Sequence, residues 1–182
     1  MKALPSPDDV IAFWREAGSE KWFAKNDDFD ASIRLRFVEL LEAAQRGDLS
    51  HWEEEPDGAL ALAIVLDQFP RNLFRATPRA YAADAQARGV TSRALARGFH
   101  RRCDQELVTF LYMPLVHSED LADQERAVTL FEELGLADNL RSAREHRDII
   151  ARFGRFPHRN AMLGRSSTQQ EQAFLDEGGF AG

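Results

Sequence analysis

Two segments in the second half of the chain combine histidine with carboxylate side chains. His117 is followed closely by Glu119 and Asp120, and His146 falls on the apolar face of a predicted helix. A histidine held near a carboxylate can exchange a proton close to neutral pH. The candidate catalytic residues are therefore His117, Glu119, Asp120 and His146. A core histidine held by a hydrogen bond is the preferred interpretation of His146, with the catalytic role as the alternative.

A metal site is a second kind of chemistry to consider for His117, His146 and His158. Zinc sites need imidazoles and carboxylates in a tight set, usually anchored by a close pair on one helix. The sequence has no HExxH motif and no two histidines four residues apart. We therefore predict no metal. Because the sequence also lacks a glycine-rich phosphate loop and a dinucleotide fingerprint, we predict no cofactor.

Arginine is concentrated in two segments that alternate with acidic ones. Residues 71–102 contain eight arginines and one carboxylate, and residues 141–165 contain seven arginines and two carboxylates. Guanidinium groups match the geometry of carboxylates and phosphates, so the two segments are expected to converge on an anionic ligand. A GC-rich genome is the alternative reason for the arginine excess. The candidate ligand-binding residues are Arg71, Asn72, His117, His146, Arg152, Arg155, His158, Arg159 and Asn160.

Part of this set comes from a short internal echo. The segment Phe69–Asn72 reads Phe-Pro-Arg-Asn, and Phe156–Asn160 reads Phe-Pro-His-Arg-Asn. Two interpretations are open: each segment simply ends a helix, because proline bars its continuation, or both are polar turns facing one cleft. Local ion pairs at four-residue spacing, Asp67 with Arg71 and Asp148 with Arg152, would neutralise some of these charges.

The elements that must position these residues are all predicted to be helices, since apolar residues recur at helical spacing and strand alternation is nearly absent. We predict one all-α domain over residues 1–182, a bundle of about seven to nine helices in stacked pairs. The predicted helices start at Pro7, at Asp27 or Asp28, at Ala59, after Thr77, at Asp84, at Asp104, at Ser118 or Asp120, at Asp138 or Asn139, and after Thr168. Pro70 is expected to end the central buried helix, and Gly154 to follow the penultimate one.

Composition excludes several classes of protein. The chain has 182 residues, a net charge of −7 and no basic motif interleaved with aromatic residues, so nucleic acid is not an expected partner. Its longest apolar run, Ala59–Leu66, is too short to span a membrane, and its start, Met1–Pro5, does not resemble a signal peptide. A single cysteine, Cys103, favours a reducing compartment. We expect a cytoplasmic protein.

Five runs of sequence resemble those of a bacterial family, the domain of unknown function numbered 924. They are Phe13-Trp14, Lys21–Lys25, Leu66–Asn72, His117–Arg126 and His146–Asn160. The similarity extends from about residue 10 to residue 176. It implies an all-helical, tetratricopeptide-like fold in a soluble protein and implies no established activity.

Two classes of function follow from these residues. The preferred one is a binding module for a small anionic or amphipathic ligand, with a carboxylate or phosphate head and an acyl tail, or for a segment of a partner protein. The alternative is a small enzyme of hydrolase or lyase type that uses the candidate catalytic residues. The sequence makes no prediction of oligomeric state.

Overall fold

The computed structural model describes residues 3–180, and every regular element in that part of the chain is a helix. The nine α-helices are α1 (Pro7–Ala17), α2 (Ser19–Trp22), α3 (Asp27–Arg46), α4 (Pro56–Leu73), α5 (Asp84–Ala96), α6 (Val108–Val116), α7 (Leu121–Leu134), α8 (Ala137–Phe153) and α9 (Gln169–Asp176). Short 3-10 helices lie at Ser50–Glu54, Pro78–Tyr81, Phe99–Arg101 and Pro157–Arg159. The all-α prediction is therefore confirmed.

Within residues 3–180, no helix is both long and apolar enough to cross a membrane. Met1 and Lys2, which belong to the start that does not resemble a signal peptide, lie outside the described residues.

The described residues divide into two compact units. Unit 1 comprises residues 3–75 and Arg79–Pro114, and unit 2 comprises Ala76–Pro78 and residues 115–180. The expectation of a single domain over residues 1–182 stays a prediction.

Helix α4 forms the centre of unit 1. Residues Ala59 to Leu66 are almost entirely inaccessible to solvent, because the helix is apolar on all sides and α1, α3 and α5 pack around it. Trp14 of α1 is fully buried, and its ring centroid lies 5.9 Å from that of Phe69 on α4. The prediction of a central buried helix is confirmed.

The expected end of that helix was wrong. Pro70 lies inside α4, which continues to Leu73, and the backbone nitrogen of Phe74 donates to the Pro70 carbonyl at 2.9 Å. Proline removes one donor and crowds one carbonyl, and in the last turn of a buried helix the packing outweighs that loss. The segment Phe69–Asn72 is consequently helical and is not a turn.

Three other helix starts differ from the predicted ones in their capping residue or their position, because of local hydrogen bonding and turn geometry. Asn26 rather than an aspartate caps α3, since its side chain accepts a hydrogen bond of 2.9 Å from the Phe29 nitrogen. Helix α6 begins at Val108 because the Asp104 carboxylate holds the preceding turn through the Glu106 nitrogen. Thr77 is followed by a 3-10 helix instead of an α-helix.

In unit 2, α7 and α8 pack against each other, and α9 follows an irregular segment. Asp120 caps α7, and Gly154 takes the left-handed conformation (φ +70°) that ends α8. The Thr168 side chain and that of Glu171 form the predicted capping box of α9. A small apolar cluster fills the unit: Ile149, Ile150 and Phe156, with Phe153, Phe174 and Phe180 packed against them.

Candidate functional site

The polar centre of unit 2 is an ion pair between Glu119 and Arg165. The two guanidinium nitrogens donate to the two carboxylate oxygens at 2.7 and 2.9 Å, and the backbone nitrogen of Phe156 donates to the same carboxylate at 2.8 Å. Burial raises the pKa of Glu119, but the hydrogen bonds from Arg165 and Phe156 outweigh it and leave the pKa below its ordinary value. Glu119 is therefore a structural anion, and no hydrogen bond links it to a histidine in residues 3–180.

A second ion pair, between Arg155 and Glu171, joins the end of α8 to α9. Arg155 donates to both carboxylate oxygens at 2.6 and 2.8 Å, and the Thr168 nitrogen adds a bond of 2.7 Å. These hydrogen bonds lower the pKa of Glu171 to about 2. Buried Asn160 connects the two pairs, since it accepts from Arg165 at 3.0 Å and donates to Glu171 at 3.3 Å.

His146 and His158 surround the rings of Phe156 and Phe180. The ring of Phe180 lies 4.5 Å from that of His146 and 5.2 Å from that of His158, centroid to centroid. Nδ1 of His146 lies 2.8 Å from the Ser142 carbonyl, which can only accept, so Nδ1 carries the proton. Burial lowers the pKa of each histidine to about 4. Both rings are neutral at neutral pH, which agrees with the preferred interpretation of His146 as a core residue.

Arg159 and His117 meet through the backbone. A guanidinium nitrogen of Arg159 donates to the His117 carbonyl at 3.0 Å, and the guanidinium carbon lies 4.6 Å from the centroid of the Phe156 ring. Arg159 is buried, so its charge is directed into the unit. Asp120, the remaining candidate for acid–base chemistry, is exposed and caps α7 through the Ala122 nitrogen at 2.8 Å.

Arg71 and Asn72 belong to unit 1 and are engaged there. Arg71 pairs with Asp67 at 3.2 Å, as expected, and also with both oxygens of Asp84 at 3.0 and 3.1 Å. Asn72 donates to Asp30 at 2.8 Å. The interpretation of the two Phe-Pro segments as matching polar turns is wrong, because the first of them is part of α4 and its polar side chains hold helices of unit 1 together.

Neither a metal centre nor a reactive thiol is built into the described residues. Between positions 3 and 180, no three histidine, cysteine or carboxylate side chains come together in a way that could hold a metal ion. Cys103 is buried, and burial raises the pKa of its thiol to about 12. The neighbouring Arg101 and Arg102 are exposed and do not reverse that effect.

A groove in unit 2 combines aromatic walls with a charged rim. Its volume is about 540 Å³, which lies within the range of small-molecule sites, and residues of α8, α9 and the segment after α9 line it. The lining residues are Arg141, Arg144, Glu145, Asp148, Ile149, Arg152, Phe153, Phe174, Gly178, Gly179 and Phe180. The charged members stand on one face of α8, three or four residues apart.

The arginines of the rim differ in their partners. Arg141 pairs with Asp138 at 2.8 Å, and Arg144 pairs with Glu132. The predicted pair between Asp148 and Arg152 is wrong, because Asp148 accepts instead from Arg147 at 2.7 Å.

The Arg152 guanidinium lies over two aromatic rings, 4.6 Å from the centroid of Phe153 and 5.8 Å from that of Phe174. No ion pair joins Arg152 to a carboxylate anywhere in the described part of the chain. Within the described residues, the Arg152 guanidinium is therefore positioned by its contacts with the rings of Phe153 and Phe174.

Sequence reasoning named some of these residues and missed others. Of the candidate ligand-binding set, Arg152 lines the groove, while Arg155, Arg159 and Asn160 form the polar network beside it. Arg165 and Glu171 were missed as site residues, although the first ends the basic segment and the second completes the capping box. The aromatic wall formed by Phe174 and Phe180 has no local signature in the sequence.

Comparison with known proteins identifies the chain at the level of a family. The family model described as a bacterial protein of unknown function, DUF924, matches residues 10–179. The chain belongs to DUF924. The resemblance of the five sequence runs is thereby confirmed.

A solved structure agrees with this membership. The DUF924 chain is 44% identical to the protein of unknown function ATU0120 from Agrobacterium tumefaciens, with a TM-score of 0.90 over 94% of this chain and 97% of that one. No curated protein matches the chain.

Proposed function

We propose that unit 2 of this DUF924 protein binds a small amphipathic anion in the groove between α8 and α9. The observation that carries the proposal is the position of Arg152. Its exposed guanidinium stands at the rim of an aromatic-walled groove and has no carboxylate partner in residues 3–180. A ligand anion would supply that partner.

The walls favour a ligand with an apolar part. Ile149, Phe153, Phe174 and Phe180 provide apolar surface along the groove, and three of these four side chains are only partly buried. Covering such surface is favourable at about 25 cal/mol per Å². Small-molecule sites commonly have this form, with apolar walls and a few polar groups that fix the orientation of the ligand.

The polar network beside the groove supports its shape. Arg155 ties Glu171 of α9 to the end of α8, and Asn160 links this pair to Glu119 and Arg165. Of the candidate ligand-binding residues, Arg155 and Asn160 consequently act on the ligand through the wall that carries Phe174, and not by direct contact.

The enzyme alternative has less support. It needs a carboxylate that can take a proton from a histidine, yet Glu119 is neutralised by Arg165 and Asp120 is committed to the α7 cap. Both candidate carboxylates therefore have structural roles in the described part of the chain, and this favours the binding function.

The test uses 1-anilinonaphthalene-8-sulfonate, an aromatic monoanion whose fluorescence rises in apolar sites. We expect saturable binding to the folded protein and weakening of about tenfold in Arg152→Ala, because a charge-assisted contact contributes about 1.5 kcal/mol or more. Arg126→Ala is the matched control, since Arg126 is an exposed arginine of unit 2 outside the groove. Equal affinity of all three proteins, or no saturable binding, would contradict the proposal.

A further inference from the structure

We infer that the ligand of this groove is a monoanion with an apolar chain, such as a free monocarboxylate, and not a phosphate monoester. The inference rests on the proposed function and narrows it. It follows from the number and pairing of the charges at the rim.

Among residues 3–180, the rim offers one cation that is not already matched by a carboxylate. Arg141 and Arg144 are paired with Asp138 and Glu132, which leaves Arg152. A carboxylate matches a single guanidinium fork with its two oxygens, whereas a phosphate monoester carries close to two charges above its second pKa of about 6.

A carboxylate already present at the rim opposes a second negative charge. Glu145 and Asp148 stand on the same face of α8 as Arg152 and line the same groove. Asp148 is matched by Arg147, as Arg141 and Arg144 are matched by their carboxylates, which among the described residues leaves Glu145, two turns before Arg152 along the helix. Like charges brought close together disfavour binding, and the penalty grows with ligand charge. A dianion would therefore be rejected more strongly than a monoanion.

The interior of the groove favours an apolar chain on the ligand. Beyond the rim, its side-chain walls are Ile149, Phe153, Phe174 and Phe180, which offer no hydrogen-bonding group. A polar tail would lose its water without compensation, while an alkyl or aryl chain gains from leaving water. A single carboxylate on an apolar chain satisfies both the rim and the walls.

The experiment compares four probes with one chain length: octanoate, octanesulfonate, octyl phosphate and octanol. Titration calorimetry at pH 8, where the phosphate is a dianion, is carried out on the whole protein. We expect the two monoanions to bind at least about tenfold more tightly than octyl phosphate and octanol. Arg152→Ala should remove the preference for the monoanions over octanol, and Arg126→Ala should preserve it.

A second variant tests the cause of the discrimination. In Glu145→Gln, the rim loses its unmatched carboxylate, and we expect octyl phosphate to gain affinity relative to octanoate. Glu145 is exposed, so the variant is expected to fold.

The outcomes separate the inference from the function beneath it. Octyl phosphate binding as tightly as octanoate, with both dependent on Arg152, would overturn the preference for a monoanion and leave the amphipathic-anion site intact. No binding of any probe, or binding that ignores Arg152, would overturn the proposed function itself. Tight octanoate binding with an unchanged preference over octyl phosphate in Glu145→Gln would contradict the role given to Glu145.

Discussion

Arg165 and Glu119, which are 46 residues apart in the sequence, form a bidentate ion pair with nitrogen–oxygen distances of 2.7 and 2.9 Å. Glu119 lies just before α7, and Arg165 lies in the irregular segment between α8 and α9. The same carboxylate also receives the Phe156 backbone nitrogen. One acidic side chain thus fixes both ends of the segment that leads to α9.

Arg165→Ala is expected to destabilise the protein by about 2 kcal/mol, because it leaves a half-buried carboxylate without its charged partner. Urea denaturation followed by circular dichroism measures this loss of stability. Tryptophan fluorescence would report on unit 1, because all three tryptophans, Trp14, Trp22 and Trp52, lie there. Arg141→Ala breaks an exposed pair and should change stability by less than about 0.5 kcal/mol. Equal losses in the two variants would show that the Glu119 pair has no special weight.

Acidification should weaken unit 2 through His146. Burial lowers the pKa of His146 from 6.5 to about 4, so the unfolded chain binds the proton first as the pH falls. Stability is then full above the unfolded pKa and declines between about pH 6.5 and pH 4, with roughly 2 kcal/mol lost by pH 5.

His146→Asn keeps a donor near the Ser142 carbonyl and removes the titration. Its free energy of unfolding should therefore depend less on pH in that window than that of the parent protein. His51→Asn, at an exposed histidine of unit 1, is the control. A parent and a His146 variant with identical pH profiles would refute this assignment.

Two glycines in helices should respond to alanine in opposite directions. A Cβ at Gly58 would stand 2.1 Å from the Trp52 carbonyl oxygen, so Gly58→Ala should cost about 2 kcal/mol or more. A Cβ at Gly89 would first meet the end of the Arg93 side chain at 3.0 Å, which can move. Gly89→Ala should therefore stabilise α5 by roughly 0.5–1 kcal/mol. Thermal melts of the two variants decide this, and shifts of the same sign would contradict it.

Cys103 should react with thiol reagents only when the protein unfolds. The thiol is buried and its pKa is raised to about 12 by burial, with the Asp57 charge adding to the shift. Labelling by a disulfide reagent at pH 8 should be slow in the native protein and fast in guanidinium chloride. Rapid native labelling would mean that the site opens without global unfolding.

Local signals in the sequence predicted local structure well. The Thr168 capping box, the Asp120 cap and the glycine after α8 are each determined by residues a few positions apart, and each lies where expected. The predicted end of α4 was wrong because contacts between residues far apart in the sequence outweigh the local signal. Pro70 is a strong local breaker, but surrounding helices bury it, and tertiary packing decides the outcome.

The candidate site depends on contacts that no local pattern contains. Arg152 was predicted to bind an anion from charge alone. Within residues 3–180 it has no carboxylate partner, because Asp148 pairs with Arg147 and Glu132 pairs with Arg144. The pairing of Arg165 with Glu119 joins residues far apart in the chain. Such pairings require the fold, and a single sequence holds no record of them.

Helix α9 has only eight residues, and an isolated helix of that length does not persist in water. Its folded state depends on the ion pair between Arg155 and Glu171 and on the packing of Phe174 against Phe153. Since Phe174 is also a wall of the groove, occupancy of the groove and ordering of α9 are thermodynamically linked. A bound ligand would slow hydrogen exchange at the amides of α9 in proportion to its saturation.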